Sequence, residues 1–538
     1  MPRRHTRAMT TSGIDLGPLD RLAERAETLA GAWAARARAS TTVGRERALL
    51  RMFGVSGLDA ANRPLAWAAV DRYMGGGRGR LAGGIVLPFA MALVEYDIDP
   101  QRLALDIASG AVDLGLEADL LNERDRRGLA EEEARRLASA ATDRIDANRT
   151  ARRELVGLLG DSARPWLGAT IGDLEIAGAL IAATNVVRAG AELVQIQVPI
   201  GRELADRLRD AGLDAPVWEP GDEVAAESSA LAELMPTGSQ RALAVLRRRL
   251  DELAVERRHY VRVAAVPPAL GAPESAVVAA FERLDIVQSD PLAEIVGGRV
   301  APDRALADHA FAHGLLARAG VIVALSAGPL VVGPDMARGV PSDPATRSGR
   351  ALAIQMLSVA IARGNGVPPE QLLVGAMPAW LVGERAPIVQ AAAEVALRRA
   401  LLPELGLLFE EPSTDDSKAA ESWAAIVAAI APPGPATGVI VRRRMADAAP
   451  GLAASRAAAA VTAGLASSFG ERSLVGPAAE HARATATAAL ATLDLLANEG
   501  WGSILGEGPG RLDAAGLGVD AIAERTDAFD PFLTASGG

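Results

Sequence analysis

The chain has 538 residues, a formal charge of −11 and no cysteine, and only one of its 56 basic residues, Lys418, is a lysine. Thiol nucleophiles, Cys-ligated zinc and iron–sulfur clusters are thereby excluded, as is a P-loop, because Lys418 follows Ser417 in an acidic loop instead of a glycine. The acidic balance argues against a nucleic-acid partner, Arg3, Arg4 and Arg7 precede no apolar leader core, and no run of about 18 uncharged apolar residues suggests a membrane span, so a soluble cytoplasmic protein is expected.

From the start to about residue 160 the pattern predicts helices. Residues 19–39, 44–53, 100–109 and 131–159 carry apolar positions at three- and four-residue spacing between charged ones. The Arg/Glu alternation over 131–153 indicates a solvated face with i,i+4 pairs, and Gly75-Gly76-Gly77-Arg78-Gly79-Arg80 reads as a flexible connector.

Between about 161 and 445 the period changes. Short β-branched runs recur at 193–198, 260–266, 284–288, 320–325, 372–375, 405–409 and 438–441, with 166–171 as an eighth. Helical patterns lie between most of them, at 239–258, 273–283, 302–319 and 347–362. Near-continuous apolar strands alternating with helices imply a parallel sheet buried on both faces. The expected fold class is therefore α/β, a (β/α)8 TIM barrel, with an open doubly wound sheet as the competing arrangement. From 446 to 538 a helical extension is expected, with alanine-rich 453–465 and 478–498. It ends in a Gly-rich stretch and an acidic tail carrying Asp530-Pro531-Phe532. Gly506, Gly508 and Gly510 follow no strand and open no helix, so they are not a dinucleotide fingerprint.

Site signals from residue types are sparse. His309 and His313 stand four apart on a predicted helix, a spacing that can serve one metal, but no glutamate separates them and ordinary buried histidines fit as well. Glu410-Glu411 and Asp415-Asp416 could meet a hard cation, or simply form a solvated loop. Thr237-Gly238-Ser239-Gln240 opens a predicted helix, where free amides can cap or meet a phosphate.

A resemblance covers nearly the whole chain. The string Thr41-Thr42-Val43-Gly44-Arg45-Glu46-Arg47, continued by Leu50-Arg51-Met52-Phe53-Gly54-Val55-Ser56-Gly57-Leu58-Asp59, resembles the opening of the α subunit of D-lysine 5,6-aminomutase. Asn148-Arg149, Gly190-Ala191-Glu192-Leu193-Val194, Tyr260-Val261-Arg262, Glu282-Arg283-Leu284-Asp285-Ile286, Asp290, Leu292, Gly320-Val321-Ile322-Val323, Gly366-Val367-Pro368-Pro369-Glu370-Gln371-Leu372 and Asp530-Pro531-Phe532 follow in the same order. The resemblance implies a barrel that binds pyridoxal 5'-phosphate (PLP) and a small amino-acid substrate. It also implies a β subunit that supplies the adenosylcobalamin site and the Schiff-base lysine, and a radical 1,2-amino shift. A chain whose single lysine is Lys418 suits a subunit that needs none of its own.

The same comparison marks departures at the expected strand ends. Val198 and Glu203 stand where relatives carry an arginine and a serine, and Val266, before Pro267-Pro268, stands where they carry a tyrosine. Arg299 replaces an acidic residue, Ala324 an asparagine and Ala376 a histidine. With these losses, Gly238, Ser239 and Gln240 become the candidate cofactor contacts. A catalytically degenerate barrel, kept as scaffold or regulatory partner of a cobalamin-binding subunit, is the second functional expectation.

Overall fold

The structure, a computed structural model, describes residues 17–60, 64–75, 78–161, 166–171, 176–197, 240–267, 270–296, 300–325, 343–376, 388–410, 439–442, 477–505, 522–527 and 529–532. Helix α1 (Gly17–Ala39) buries Leu19, Leu22, Ala26, Ala30, Trp33 and Ala37, a three- and four-residue stripe that joins the main core. Strand β1 (Ser40–Thr42) leads into α2 (Val43–Met52), where the Thr42 hydroxyl accepts from the Arg45 amide at 3.0 Å as an N-cap. Five helices follow: α3 (Leu65–Met74), α4 (Arg78–Gly83), α5 (Val86–Tyr96), α6 (Pro100–Ser109) and α7 (Leu114–Leu120). With α2 they enclose a second core around Phe53, Leu65, Phe89, Leu103 and Ile107. The connector expected at 75–80 is thus a connector only in part. Gly75 ends α3, and Arg78 opens α4, held by Arg80, which donates to the Tyr73 carbonyl at 3.1 Å.

Helix α8 (Arg124–Leu159) joins the two cores. Ala130, Ala134, Leu137 and Ala138 bury in the second core, Ala141 and Ile145 in the main one. Its outer face carries one expected i,i+4 pair, Arg135–Glu131, an Arg136–Glu133 pair spaced three apart, and a further i,i+4 pair from Arg127, before the run, to Glu131.

The strands are β2 (Trp166–Ile171), β3 (Leu193–Gln197), β4 (Arg262–Val266), β5 (Ile286–Gln288), β6 (Ile322–Leu325), β7 (Leu372–Gly375), β8 (Gly406–Glu410) and β9 (Val439–Arg442). Each pairs in parallel with the next, and β9 returns to β2 with Val439 opposite Trp166. Sequential order is that of a curled, TIM-barrel-like α/β architecture and lacks the reversal of a doubly wound sheet. Between the strands run α9 (Ile176–Arg188), α10 (Gln240–Arg257), α11 (Ala272–Phe281), α12 (Pro291–Val296), α13 (Pro302–Ala319), α14 (Pro344–Gly364) and α15 (Ile388–Leu401). The β8–β9 connection, which contains Lys418, lies outside the described residues.

Trp166, Leu193, Ala264, Ile286, Ala324, Leu373 and Leu408, one from each of β2 to β8, meet in a separate small core that fills the lumen. Below it the Arg262 guanidinium lies 3.5 Å from the Trp166 ring centroid and pairs with Asp161. The N-terminal end of the barrel is thereby plugged.

Beyond the barrel, α16 (Pro477–Glu499) packs along α14 and α1, and Trp501 meets Trp33 with ring centroids 4.5 Å apart. After α17 (Gly502–Leu505), β10 (Ile522–Glu524) pairs antiparallel with β1, Ser40 opposite Glu524. Periodicity gave no hint of this ribbon, because three residues cannot show a period and the partners are about 480 positions apart. The helix expected at 453–465 and the run from Gly506 to Gly518 lie outside the described residues.

Candidate functional site

Alternation along each strand sends every second residue into the lumen. Starting from the lumen core, the inward positions nearer the C-terminal ends of β2 to β7 include Thr170, Gln195, Val266, Gln288, Ala324 and Gly375. Catalytic groups of such barrels sit at this end. Thr170 and Gln195 are register partners on β2 and β3, and Gln195 is in turn opposite Ala264. Thr170 is 5% exposed, and its hydroxyl has no hydrogen-bond partner. An unsatisfied buried hydroxyl costs roughly 1–3 kcal/mol, so this atom needs an explanation.

Two buried networks hold the strand ends in place. Behind β5, Ser289 Oγ lies 2.8 Å from His309 Nδ1, and the Ser289 carbonyl lies 2.9 Å from His313 Nε2. Asp290 Oδ1 accepts from the Ser358 hydroxyl at 2.6 Å and from the Leu292 and Ala293 amides at 3.0 and 3.3 Å, capping α12. Burial raises the Asp290 carboxyl above its ordinary range, against these donors. Since Ser289 and Asp290 directly follow Gln288, this network sets where β5 ends. Behind β7, the Gly375 carbonyl accepts from Gln355 Nε2 and Arg398 Nε, both at 2.8 Å. Arg398 pairs with Glu394 at 2.6 Å, and Glu394 reaches His481 of α16 at 3.2 Å. A chain of buried charges therefore ties the C-terminal helix to the barrel rim.

The candidate residues fare unevenly. His309 and His313 are buried with ring centroids 5.5 Å apart. Their nitrogens turn toward different neighbours: Ser289 and Glu294 for His309, the Ser289 carbonyl and Asn365 for His313. Burial, then the neighbouring His309, push His313 down to about 3, so it is neutral. Among the described residues no group of three or more His, Asp or Glu is arranged to hold a metal.

Gln240 opens α10, and its Nε2 donates to Glu282 Oε1 at 2.8 Å. Glu282 precedes β5, on the N-terminal side of the sheet, and its carboxylate would repel a phosphate. Any phosphate contact of this run falls to Gly238 and Ser239, which lie outside the described residues, as do Val198, Glu203, Arg299, Glu411, Asp415 and Asp416. Thr170 was missed because all six residues of its strand are buried. Only the register shows that it faces inward.

A family model described as the D-lysine 5,6-aminomutase TIM-barrel domain of the alpha subunit matches residues 13–413. The chain belongs to that family. The lysine 5,6-aminomutase alpha subunit of Fusobacterium nucleatum is 24% identical over 376 residues, 70% of this chain and 67% of that protein. Its counterpart from Acetoanaerobium sticklandii is 25% identical over 336 residues, 62% of this chain and 59% of that protein, so the match spans less than two thirds of the latter. Among solved structures, a dihydropteroate synthase from Anaplasma phagocytophilum aligns over 56% of this chain and its own whole length. That alignment has 11% identity and a TM-score of 0.36.

The described residues on which the resemblance was read in the sequence have visible work here, and it is architectural. Thr41 and Thr42 bind Glu46 and Asp308, and Glu46 also accepts from the Ile85 amide at 2.8 Å. Arg45 pairs with Asp530 at 2.7 Å, and Phe532 stacks on Phe53 at 6.3 Å. Asn148 and Arg149 of α8 donate to the last carbonyls of α11 and α13, at Ala280, Phe281 and Arg318, and their neighbour Arg152, outside those strings, donates to Ala319. Donors placed there satisfy the orphan carbonyls and complement the helix dipole.

PLP, which the family implies, asks for a cation or a set of amides at its phosphate and a flat ring against the pyridine. At the six inward positions named above stand a threonine, two glutamines, a valine, an alanine and a glycine. The inward arginine, Arg262, is committed to Trp166 and Asp161 at the other end. These six residues do not fit the cofactor.

Proposed function

We propose that this chain is the barrel subunit of an aminomutase-like assembly, an isomerase that moves an amino group within a small amino acid beside a cobalamin-binding β subunit. The family match over residues 13–413 carries the reading. In it the strand–helix unit repeats eight times over about residues 161–445, between a helical region before 160 and an extension after 446. As the family resemblance implies, adenosylcobalamin and the Schiff-base lysine come from the β subunit, which suits a chain whose only lysine is Lys418. The amides of Gly238 and Ser239 are what this chain would offer to a PLP phosphate. The test is turnover of D-lysine and L-β-lysine by the co-purified assembly with both cofactors supplied. Turnover of an amino acid other than these two is expected, because Val266, Ala324 and Ala376 replace the residues that relatives carry. An assembly inactive on every amino acid tried would contradict the catalytic reading.

A second reading has one specific observation in its favour, the mismatch between the described strand ends and PLP. In it the chain is a degenerate barrel that keeps the family's frame as a scaffold or regulatory partner of the cobalamin-binding subunit. Assembly without turnover is its signature.

A further inference from the structure

The family match ends at residue 413, so α16 lies beyond it. A relay of buried side chains runs from that helix to the end of β7. His481 Nε2 lies 3.2 Å from Glu394 Oε1, Glu394 Oε2 accepts from Arg398 Nη1 at 2.6 Å, and Arg398 Nε donates to the Gly375 carbonyl at 2.8 Å. Gln355 Nε2 donates to the same carbonyl at 2.8 Å, so both of its lone pairs are taken. The Glu394 and Arg398 side chains are 0% and 2% exposed. Burial by itself raises the Glu394 carboxyl, yet His481 and Arg398 hold it below its ordinary range, so it is a carboxylate. A buried ion pair is weak evidence for stability, since apolar side chains of similar volume often do as well or better. What an apolar pair could not do is donate to Gly375 at a fixed point.

A second route runs through α14. Its Gln355 holds the end of β7, and three residues on, Ser358 donates to Asp290 Oδ1 at 2.6 Å just beyond β5. One face of α14 therefore grips the two strands that flank β6. Helix α14 is itself seated on α16 at Gly349, where a Cβ would stand 2.5 Å from Ala488 Cβ. We infer that α16 is the positioning element for the β5–β7 wall of the barrel mouth. It aligns Arg398 through His481 and Glu394, seats α14 by close packing, and so determines where β7 delivers the chain toward Ala376. The inference rests on the proposed function only for its effect on turnover. His481 and Arg398 are positioning residues that act through Gly375.

The test compares the full chain with three variants. His481→Phe keeps a ring but loses the donor, His481→Gln restores a donor, and Arg398→Lys keeps a charge opposite Glu394 but lacks the guanidinium's planar fork. Two readouts are local: amide hydrogen exchange over 372–376, and the carbonyl carbon resonance of Gly375, observed through the Ala376 amide. In His481→Phe and Arg398→Lys, exchange there is expected to quicken at least tenfold and the resonance to move upfield, with His481→Gln close to the parent. Exchange over 193–197 of β3, four strands from β7 in either direction, is expected to match the parent. An equal rise at both strands would reduce the relay to a general stabiliser and overturn the inference. Parent-like exchange and resonance in both altered variants would overturn it too, and if His481→Phe does not fold, Arg398→Lys decides by the same criteria. In the co-purified assembly the altered variants are expected to lower kcat at least tenfold while binding the partner subunit as the parent does. Unchanged turnover beside altered exchange would overturn the positioning role and leave the catalytic reading standing. An inactive parent assembly defeats the catalytic reading instead, and the exchange and resonance data then decide this inference by themselves.

Discussion

Glu274 shows how one side chain joins two layers. It is 2% exposed on α11, and its Oε1 accepts from Trp67 Nε1 at 2.6 Å, while Arg47 lies 4.1 Å above the Trp67 ring. Burial pushes its carboxyl up to about 7 from 4.5, against the pull of Arg47 and Arg51. A carboxyl raised on folding favours the folded state when protonated. That contribution is whole below about pH 4.5 and is lost as pH rises through about 7. The shift corresponds to about 3 kcal/mol. Glu274→Gln, which still accepts from Trp67, should therefore gain on the parent by that order between pH 5 and pH 8.5. Urea unfolding across that range checks it, and parallel pH profiles for the two proteins would contradict the account. At this scale the sequence was only partly legible. The spacing of His309 and His313 is plain in the chain, but their partners Ser289, Glu294 and Asn365 come from other elements. Without them a metal pair and two neutral core histidines read alike. Gln240 was legible as a helix start, whereas the nearby Glu282 was not legible as its partner.

Elements were the most readable scale where a period was long and a face was buried. The barrel strands and the helices at 302–319 and 344–364 emerge from pattern alone, within a few residues at their ends. What pattern could not give is how closely helices approach. Gly349 on α14 faces α16, and a Cβ there would sit 2.5 Å from Ala488 Cβ and 2.8 Å from both the Ala489 amide nitrogen and the Thr485 carbonyl oxygen. Two of these three neighbours are backbone, so the helices themselves would have to part. Gly349→Ala is expected to destabilise by about 1–3 kcal/mol despite its better helix propensity. Chemical denaturation measures it, and a neutral or stabilising result would show that α14 and α16 are not held at this distance. The alanine-rich composition is thus a packing device, letting α1, α14 and α16 lie close together through Ala26, Ala30, Ala353, Ala482, Ala486 and Ala489. Short elements escaped notice for the opposite reason. The β1–β10 ribbon depends on a partner far along the chain, and local pattern carries no trace of it.

Across the whole molecule, the two ends of the chain are fastened to one another over the second core. The β1–β10 ribbon, the Arg45–Asp530 and Arg127–Asp527 pairs and the Phe53–Phe532 stack all lie along this seam, which encloses a cavity of about 30 Å³. The seam is built from the strings that carry the resemblance to the family. Family membership was legible for that reason: architectural residues near 41–59 and 530–532, and the helix-capping Asn148 and Arg149 in between, stand in the family's order. The chemistry was hard to read because it depends on which strand residues face the lumen, a property of register and closure that no local window contains. The proposed role of this frame is to meet a cobalamin-binding subunit at the C-terminal end of the barrel. Native mass spectrometry of the chain co-expressed with such a subunit tests it most directly. A stoichiometric heteromer that survives purification is the predicted result. Two species that never associate, with this chain remaining by itself at every concentration and with cobalamin present, would contradict it.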